Sequence, residues 1–344
     1  MSILDYILDP GNIGKQIDTW LQGLLPGWAV YLLLALVGGA LVVAFIVACL
    51  LVEMYTERKI IGRMQARYGP NRAGWHGVLQ PVADAIKIMT KESFVPAGAD
   101  KFIFNLAPVI SFAPAVAVFA VFPFTPGLIF ADLNIGVLYF IAISSLSVIG
   151  AVMAGWGSNN KYSLLGAMRS VAQMVSYEVP LVLSLLGVVM IAGTMQMGKI
   201  VEGQTIPYII LQPIGFLVYM IAAVSETSRS PFDLLEAESE LVAGFHTEYS
   251  GMKFAVFYLA EYTHMLAVSV IGATIFLGGW QGPVLPPWLW FIGKVAVIFF
   301  IFLWLRNTLP RIRVDQLMSF GWKFLLPVAL ANVFVTALIL LLVS

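Results

Sequence analysis

The sequence is poor in the residues from which redox and metal centres are built. A single cysteine, Cys49, stands among 344 residues, and it falls inside an apolar run. It closes no disulfide within the chain and cannot ligate a four-thiolate iron–sulfur cluster. The three histidines, His76, His246 and His264, are far apart and show no ligand spacing, which argues against haem or zinc. No nucleophile has a base nearby, no glycine-rich loop is set to cradle a phosphate, and no basic patch suits a nucleic acid. Hydrolysis, group transfer and nucleic-acid binding therefore have no support, and any electrons must come from a partner. The start, M-S-I-L-D-Y, lacks the basic n-region of a secretory signal, so no cleavable signal peptide is expected. No internal repeat is found either, which counts against a symmetric secondary transporter. Charge is scarce too: only 11% of residues are Asp, Glu, Lys or Arg, against 60% hydrophobic.

That balance, with a mean hydropathy of +0.90, describes a polytopic helical membrane protein. Residues 29–52 carry no charge and would make roughly 36 Å of helix, enough to span with some tilt. Further spans are expected at about 102–124, 133–155, 164–191, 208–225, 254–277, 287–305 and 324–343. The fold class is thus all-α: one integral membrane domain over 1–344, with eight transmembrane helices. A mixed amphipathic start at 3–25 is expected to lie along the outer surface. Within the polar stretch 53–101, residues 75–91 place Val78, Val82, Ala85 and Met89 on one helical face and Gln80, Asp84, Lys87 and Lys91 on another. This spacing suits a helix in the interface plane. All of the 19 basic residues except Lys15, Lys199 and Lys294 fall in or beside the connections after spans one, three, five and seven. The positive-inside rule then puts the loops 53–101 and 226–253 in the cytoplasm and both termini outside.

The second of those loops concentrates acid. Residues 225–251 hold Glu226, Asp233, Glu236, Glu238, Glu240 and Glu248, offset within the stretch by Arg229 alone. Ser230-Pro231-Phe232-Asp233 has a capping hydroxyl and a proline at a first helical position, so a short helix is expected from Pro231 to about Val242. On it Glu236 and Glu240 share a face, while Glu238 points away. Two readings fit: a water-facing acidic loop, or a partly buried set of carboxylates with raised, coupled pKa values able to hold and pass protons. Interleaved Phe232, Leu234, Leu235, Leu241 and Val242 favour the second. Inside the spans stand Arg169, Glu178 and Glu261, the last sharing a face with His264. A charge at a helix centre costs about 2.5–3.5 kcal/mol on the insertion scale for Asp, Lys or Arg, and by default it suggests a pathway. Arg169 and Glu178, nine residues apart, are about 90° from sharing a face and poor partners for each other.

Four long stretches then agree with one family: E-R-K-I-I-G-R-M-Q-A-R-Y-G-P-N-R at 57–72, N-K-Y-S-L-L-G-A-M-R-S-V-A-Q-M-V-S-Y-E at 160–178, E-T-S-R-S-P-F-D-L-L-E-A-E-S-E-L-V-A-G-F at 226–245 and L-P-R-I-R-V-D-Q-L-M-S-F-G-W-K at 309–323. In order and over all eight spans, the chain resembles the H subunits of bacterial NADH:quinone oxidoreductase, respiratory complex I, equivalent to mitochondrial subunit 1. The resemblance implies a membrane subunit of the bacterial cytoplasmic (inner) membrane, lying beneath a peripheral arm whose partner subunits hold FMN and iron–sulfur clusters. It implies a quinone channel, for ubiquinone, opening between the first and sixth spans and the interfacial helix. By position, Glu57, Arg58, Asp84, Lys87 and Arg229 would line that channel. Glu226, Glu236, Glu238, Glu240 and Glu248 would form an acidic funnel from it, and Glu178 and Glu261 would continue the path toward antiporter-like subunits. Arg67 and Arg72 would touch the peripheral arm. One departure is His246, where the family often has Asn. The anchor subunit of a related membrane-bound hydrogenase and an autonomous proton-coupled transporter are the other readings, the first disfavoured by the stretches at 160–178 and 309–323 and the second by the absent repeat.

Overall fold

The computed structural model describes residues 26–234 and 241–343. Among them the chain is an all-α bundle arranged around one nearly fully buried helix. The expected start at 3–25 lies outside the described residues.

Helix α1 (Gly27–Met64) is 38 residues long, about 57 Å at 1.5 Å per residue. Its first half shows lipid-like exposure: Tyr31, Leu36 and Leu41 are exposed, and only Val30, Ile46 and Leu50 among the apolar residues are buried. The expected span ended at Val52, with a polar loop to follow. Instead the helix continues, because Glu53 and Glu57 sit one turn apart on the face that meets protein and are both buried there. The expected helix over 75–91 is also revised. A 3₁₀ turn at Trp75–Gly77 precedes α2 (Gln80–Thr90). His76 and Gly77 both have positive φ, which breaks helical continuity. On α2 Gln80 and Asp84 are half-buried, with Asp84 on Arg58 of α1, while Val82, Ile86, Lys87 and Met89 are exposed.

Helix α3 (Lys101–Ala117) starts at Asp100, whose carboxylate accepts from the amides of Phe102 and Ile103, and tightens into a 3₁₀ turn at Val118–Val121. The third span is two helices, α4 (Gly136–Ser144) and α5 (Ser147–Gly157). Helix α6 (Lys161–Ala192) is capped by Asn160 and ends at Gly193 in the left-handed region. After α7 (Met197–Glu202) the fifth span is discontinuous: α8 (Tyr208–Leu211) stops at Gln212 and α9 (Pro213–Glu226) restarts at a proline. Helix α10 (Gly251–Phe276) contacts α1, α2, α3, α9 and α11, and every residue over 262–276 is buried. Helix α11 (Pro287–Thr308), then α12 (Val314–Phe320) leading through a π-helical turn at Gly321–Leu325 into α13 (Leu326–Val343), complete the bundle.

Among the described residues, seven helical segments are long and apolar enough to cross a membrane. They correspond to seven of the eight expected spans. The remaining one, α9, has 14 residues, about 21 Å, short of the ~30 Å hydrocarbon core. The helix expected from Pro231 is corrected over its first turn. Phe232 and Leu234 are both buried while Asp233, between them, reaches Arg311. The backbone there is a turn and a bend, with the Leu234 amide donating to the Phe232 carbonyl at 3.0 Å, not a helix. Residues 235–240, with Glu236, Glu238 and Glu240, lie outside the described residues. The return of the chain at Gly244–His246 is pressed onto α6 at Gly166, where an added Cβ would stand 2.7 Å from Gly244 backbone, so only glycine permits this approach.

Candidate functional site

Where α9 ends, charged side chains from α1, α10, α11 and the turn after α9 meet inside the bundle. Glu57 is 4% exposed. It accepts a hydrogen bond from the Tyr262 hydroxyl at 2.6 Å and an ion pair from Arg306. Arg229 is 3% exposed. Its Nε lies 3.0 Å from Glu261 Oε1, its Nη1 lies 3.9 Å from Glu57 Oε1, and its guanidinium carbon sits 4.4 Å from the centre of the Tyr262 ring. The last contact places the cation on the electron-rich ring face. Burial alone would disfavour its charge, but Glu261, Tyr262 and Glu57 outweigh that and hold the guanidinium firmly protonated. One arginine thereby joins a carboxylate on α1 to a carboxylate on α10.

A second pair follows directly. Glu226, the last residue of α9, is buried, and its Oε1 lies 3.1 Å from His264 Nε2. Glu53, one turn before Glu57, is buried as well. In this group Glu53, Glu57, Glu226 and Glu261 outnumber Arg229 and Arg306. The hydrogen bonding is incomplete: Glu53 Oε2, Glu226 Oε2, Ser228 Oγ and His264 Nδ1 are buried without a hydrogen-bond partner among the described residues. A cavity of about 70 Å³ opens beside them, lined by Glu226, Ser228, His246, Tyr258, Glu261 and His264 among others. Its size admits a few water molecules.

The remaining predicted residues divide. Asp84, on α2, pairs with Arg58 and accepts from Gln80 Nε2 at 3.1 Å. Burial pushes its pKa up, but the hydrogen bonds from Arg58 and Gln80 and the charges of Arg58 and Lys87 prevail, holding the carboxyl below its ordinary range. Lys87 itself is exposed. Glu178, half-buried on α6, feels the charges of both Glu226 and His264. Glu248 is set apart, accepting from the capping Asn160 at 2.6 Å. His246 is buried between the rings of Phe245 and Phe254, and burial brings its pKa down from 6.5 to about 4, against a small opposing pull from Asp233. Arg67 and Arg72 are exposed.

Sequence reasoning gave no role to Glu53, Tyr262, Arg306 or His264. Signals for some of them were present. Glu53 and Glu57 are one helical turn apart at the end of an uncharged run, and Glu261, Tyr262 and His264 are near neighbours on one helix. Arg306 gave no such signal, since its partner is 249 positions away.

Comparison with known proteins places the chain in a family. The family described as NADH dehydrogenase matches residues 37–337. A chain of Dehalococcoides mccartyi (strain CBDB1), named as the H subunit of NADH-quinone oxidoreductase, is 60% identical over 293 residues, covering 85% of this chain and 83% of that one. Its counterpart of the same name in Geobacillus sp. (strain WCH70) is 52% identical over 322 residues, covering 91% and 96%. A third, from Anoxybacillus flavithermus, is 55% identical over 290 residues, covering 82% and 87%.

Proposed function

The chain belongs to the NADH dehydrogenase family, among the H subunits of NADH-quinone oxidoreductase, and from that premise we propose that its buried charge group couples quinone reduction to proton movement. Glu57, Arg58, Asp84, Lys87 and Arg229 form the polar side of a quinone channel. Glu226, Glu261 and Glu178 carry the proton path away from it, joined by Glu236, Glu238, Glu240 and Glu248. The protein sits in the bacterial cytoplasmic membrane as a multi-pass subunit, with peripheral and membrane partners. FMN and iron–sulfur clusters in those partners supply the electrons, and ubiquinone receives them.

The observation that carries this reading is Arg229, paired at once with Glu57 and Glu261. Reduction of a quinone to a quinol takes up two protons, so carboxylates near the ring change their charge. In an interior of low effective dielectric such a change acts strongly over a few ångström. A proton lost near Glu57 draws Arg229 toward it and weakens its hold on Glu261, whose affinity for a proton then rises. The shared cation is what converts chemistry at one carboxylate into protonation at the next.

Glu261→Gln tests this in the assembled complex in vesicles. The shape is kept, the charge and the exchangeable proton are lost. NADH:quinone turnover is expected to fall by about 100-fold, the low end for a lost acid–base group, with proton uptake falling alongside. Wild-type turnover and pumping in fully assembled Glu261→Gln complex would refute it.

A further inference from the structure

His264 stands on α10 three residues beyond Glu261 and is 7% exposed. Its Nε2 meets Glu226 at 3.1 Å, whereas its Nδ1 is buried with no hydrogen-bond partner among the described residues. Glu226 repeats the pattern, with Oε1 engaged and Oε2 unpartnered. A histidine kept for packing alone ordinarily satisfies both nitrogens, since an unmet buried polar atom costs about 1–3 kcal/mol. Here the unmet atoms belong to two residues lining the same 70 Å³ cavity. Glu178 lies on α6, which packs along α9.

Resting on the proton-path reading above, we propose that His264 is the proton-exchanging group that delivers protons from the cavity to Glu226. An imidazole suits this step, because it accepts at one nitrogen and releases at the other. A proton taken at Nδ1 from the cavity side makes the imidazolium, and the Nε2 proton then passes to the Glu226 carboxylate. One N–H bond forms at Nδ1, one breaks at Nε2 and an O–H bond forms on Glu226, so the pair gains one proton and one unit of charge until Glu226 passes that proton on. A half-turn of the ring then resets it. The titratable and charged groups around it are Glu226 from α9, Glu178 from α6, and Glu261 on its own helix with Arg229 paired to it. His246 and Tyr258 are among the other residues of the cavity wall.

The test compares His264→Asn with wild type in the assembled complex in vesicles, reading NADH:quinone turnover and proton uptake from pH 6 to 9. His264→Asn is expected to lower coupled turnover by about tenfold, less than the ~100-fold of a lost acid–base group because Glu261 still offers a parallel route. One titrating limb of the pH profile should vanish with it, a change that altered packing would not produce. Equal turnover with the wild-type pH profile overturns the proposal. Should His264→Asn fail to assemble, His264→Gln, which retains a donor for Glu226 without titrating, is read in the same way. Failure of both to assemble makes His264 a folding residue and also overturns the proposal. If Glu261→Gln leaves pumping intact, the underlying reading fails and this one with it. If Glu261→Gln stops pumping and His264→Asn does not, only the role of His264 falls.

Discussion

Helix α9 has a polar cluster buried at each end, and the two are built on opposite principles. At its start Gln212 donates to Thr336 at 2.6 Å and accepts from Asn332 at 2.8 Å, while Thr336 donates on to the Asn332 carbonyl. Nearby, Gln204 donates to the carbonyls of Thr274 and Ile275. These groups are neutral, and none of their buried side-chain atoms is without a hydrogen-bond partner. At the other end, about 20 Å away along the helix, Glu226, Arg229, Glu57, Glu261 and His264 are charged or chargeable, and several of their atoms are unmet. A fully satisfied neutral network has one low-energy arrangement and holds the broken helix in place. A charged network short of cations and donors has several of similar energy, differing in where protons sit. The first arrangement is suited to holding, the second to moving charge.

The sharpest way to break this contrast is to remove the shared cation. Arg229→Met removes the Arg229–Glu261 ion pair and leaves Glu57 with one arginine in place of two. Stranding buried charge in this way costs about 3–5 kcal/mol, so the expected outcome is a large loss of assembled complex in membranes and a lower Tm for what remains. Adding Glu261→Gln should recover part of that stability, because the two changes act on one interaction. If Arg229→Met assembles at the wild-type level, the charged end is not held by this arginine.

A smaller effect is expected at the neutral end. Gln212→Leu strands Thr336 and Asn332 and should cost about 1–3 kcal/mol, read as a lower Tm. Turnover per assembled complex should stay near wild type. The further change Asn332→Leu should restore stability, since removing both partners of a buried bond is nearly neutral. Loss of pumping at unchanged Tm would dissolve the distinction between the two ends.

The neutral end was the less legible of the two. Gln212 lies in an otherwise apolar span; Pro213 after it marks where the helix breaks, but nothing local foretells a partner 120 positions away. The spans were legible because hydropathy is a local sum, and seven of them appear as expected. Their interruptions were not, since Ser145 and Leu146 between α4 and α5 carry no glycine or proline. The site was legible in half. Acid residues in an apolar chain announce themselves, so Glu57, Glu226 and Glu261 stood out. Of their cations Arg229 stood out as well, but Arg306 did not: it reads as one more basic residue at a span's end. The local signal at Ser230-Pro231 suggested a helix start, yet tertiary burial of Phe232 and Leu234 prevailed over it.

The two histidines of the cavity wall refine the comparison within the charged end itself. His246 is flanked by Phe245 and Phe254, with ring centres 5.0 and 5.3 Å away. Burial lowers its pKa to about 4, so it is neutral near pH 7 and poorly placed to pass protons. The consequence for stability has a definite sign. With the folded value below the ordinary 6.5, the unfolded chain takes the proton first as pH falls. Stability is therefore complete above about 6.5 and declines as pH drops toward 4. His246→Phe should flatten that decline, so that the Tm difference between pH 7.5 and pH 5 shrinks relative to wild type. Its coupled turnover should keep the wild-type pH profile over 6 to 9, the range in which His264→Asn is expected to lose a limb. An undiminished Tm difference in His246→Phe would mean that acid sensitivity resides elsewhere, with the Arg58–Asp84 pair the next place to look. A changed turnover profile would mean that His246, too, exchanges protons during turnover.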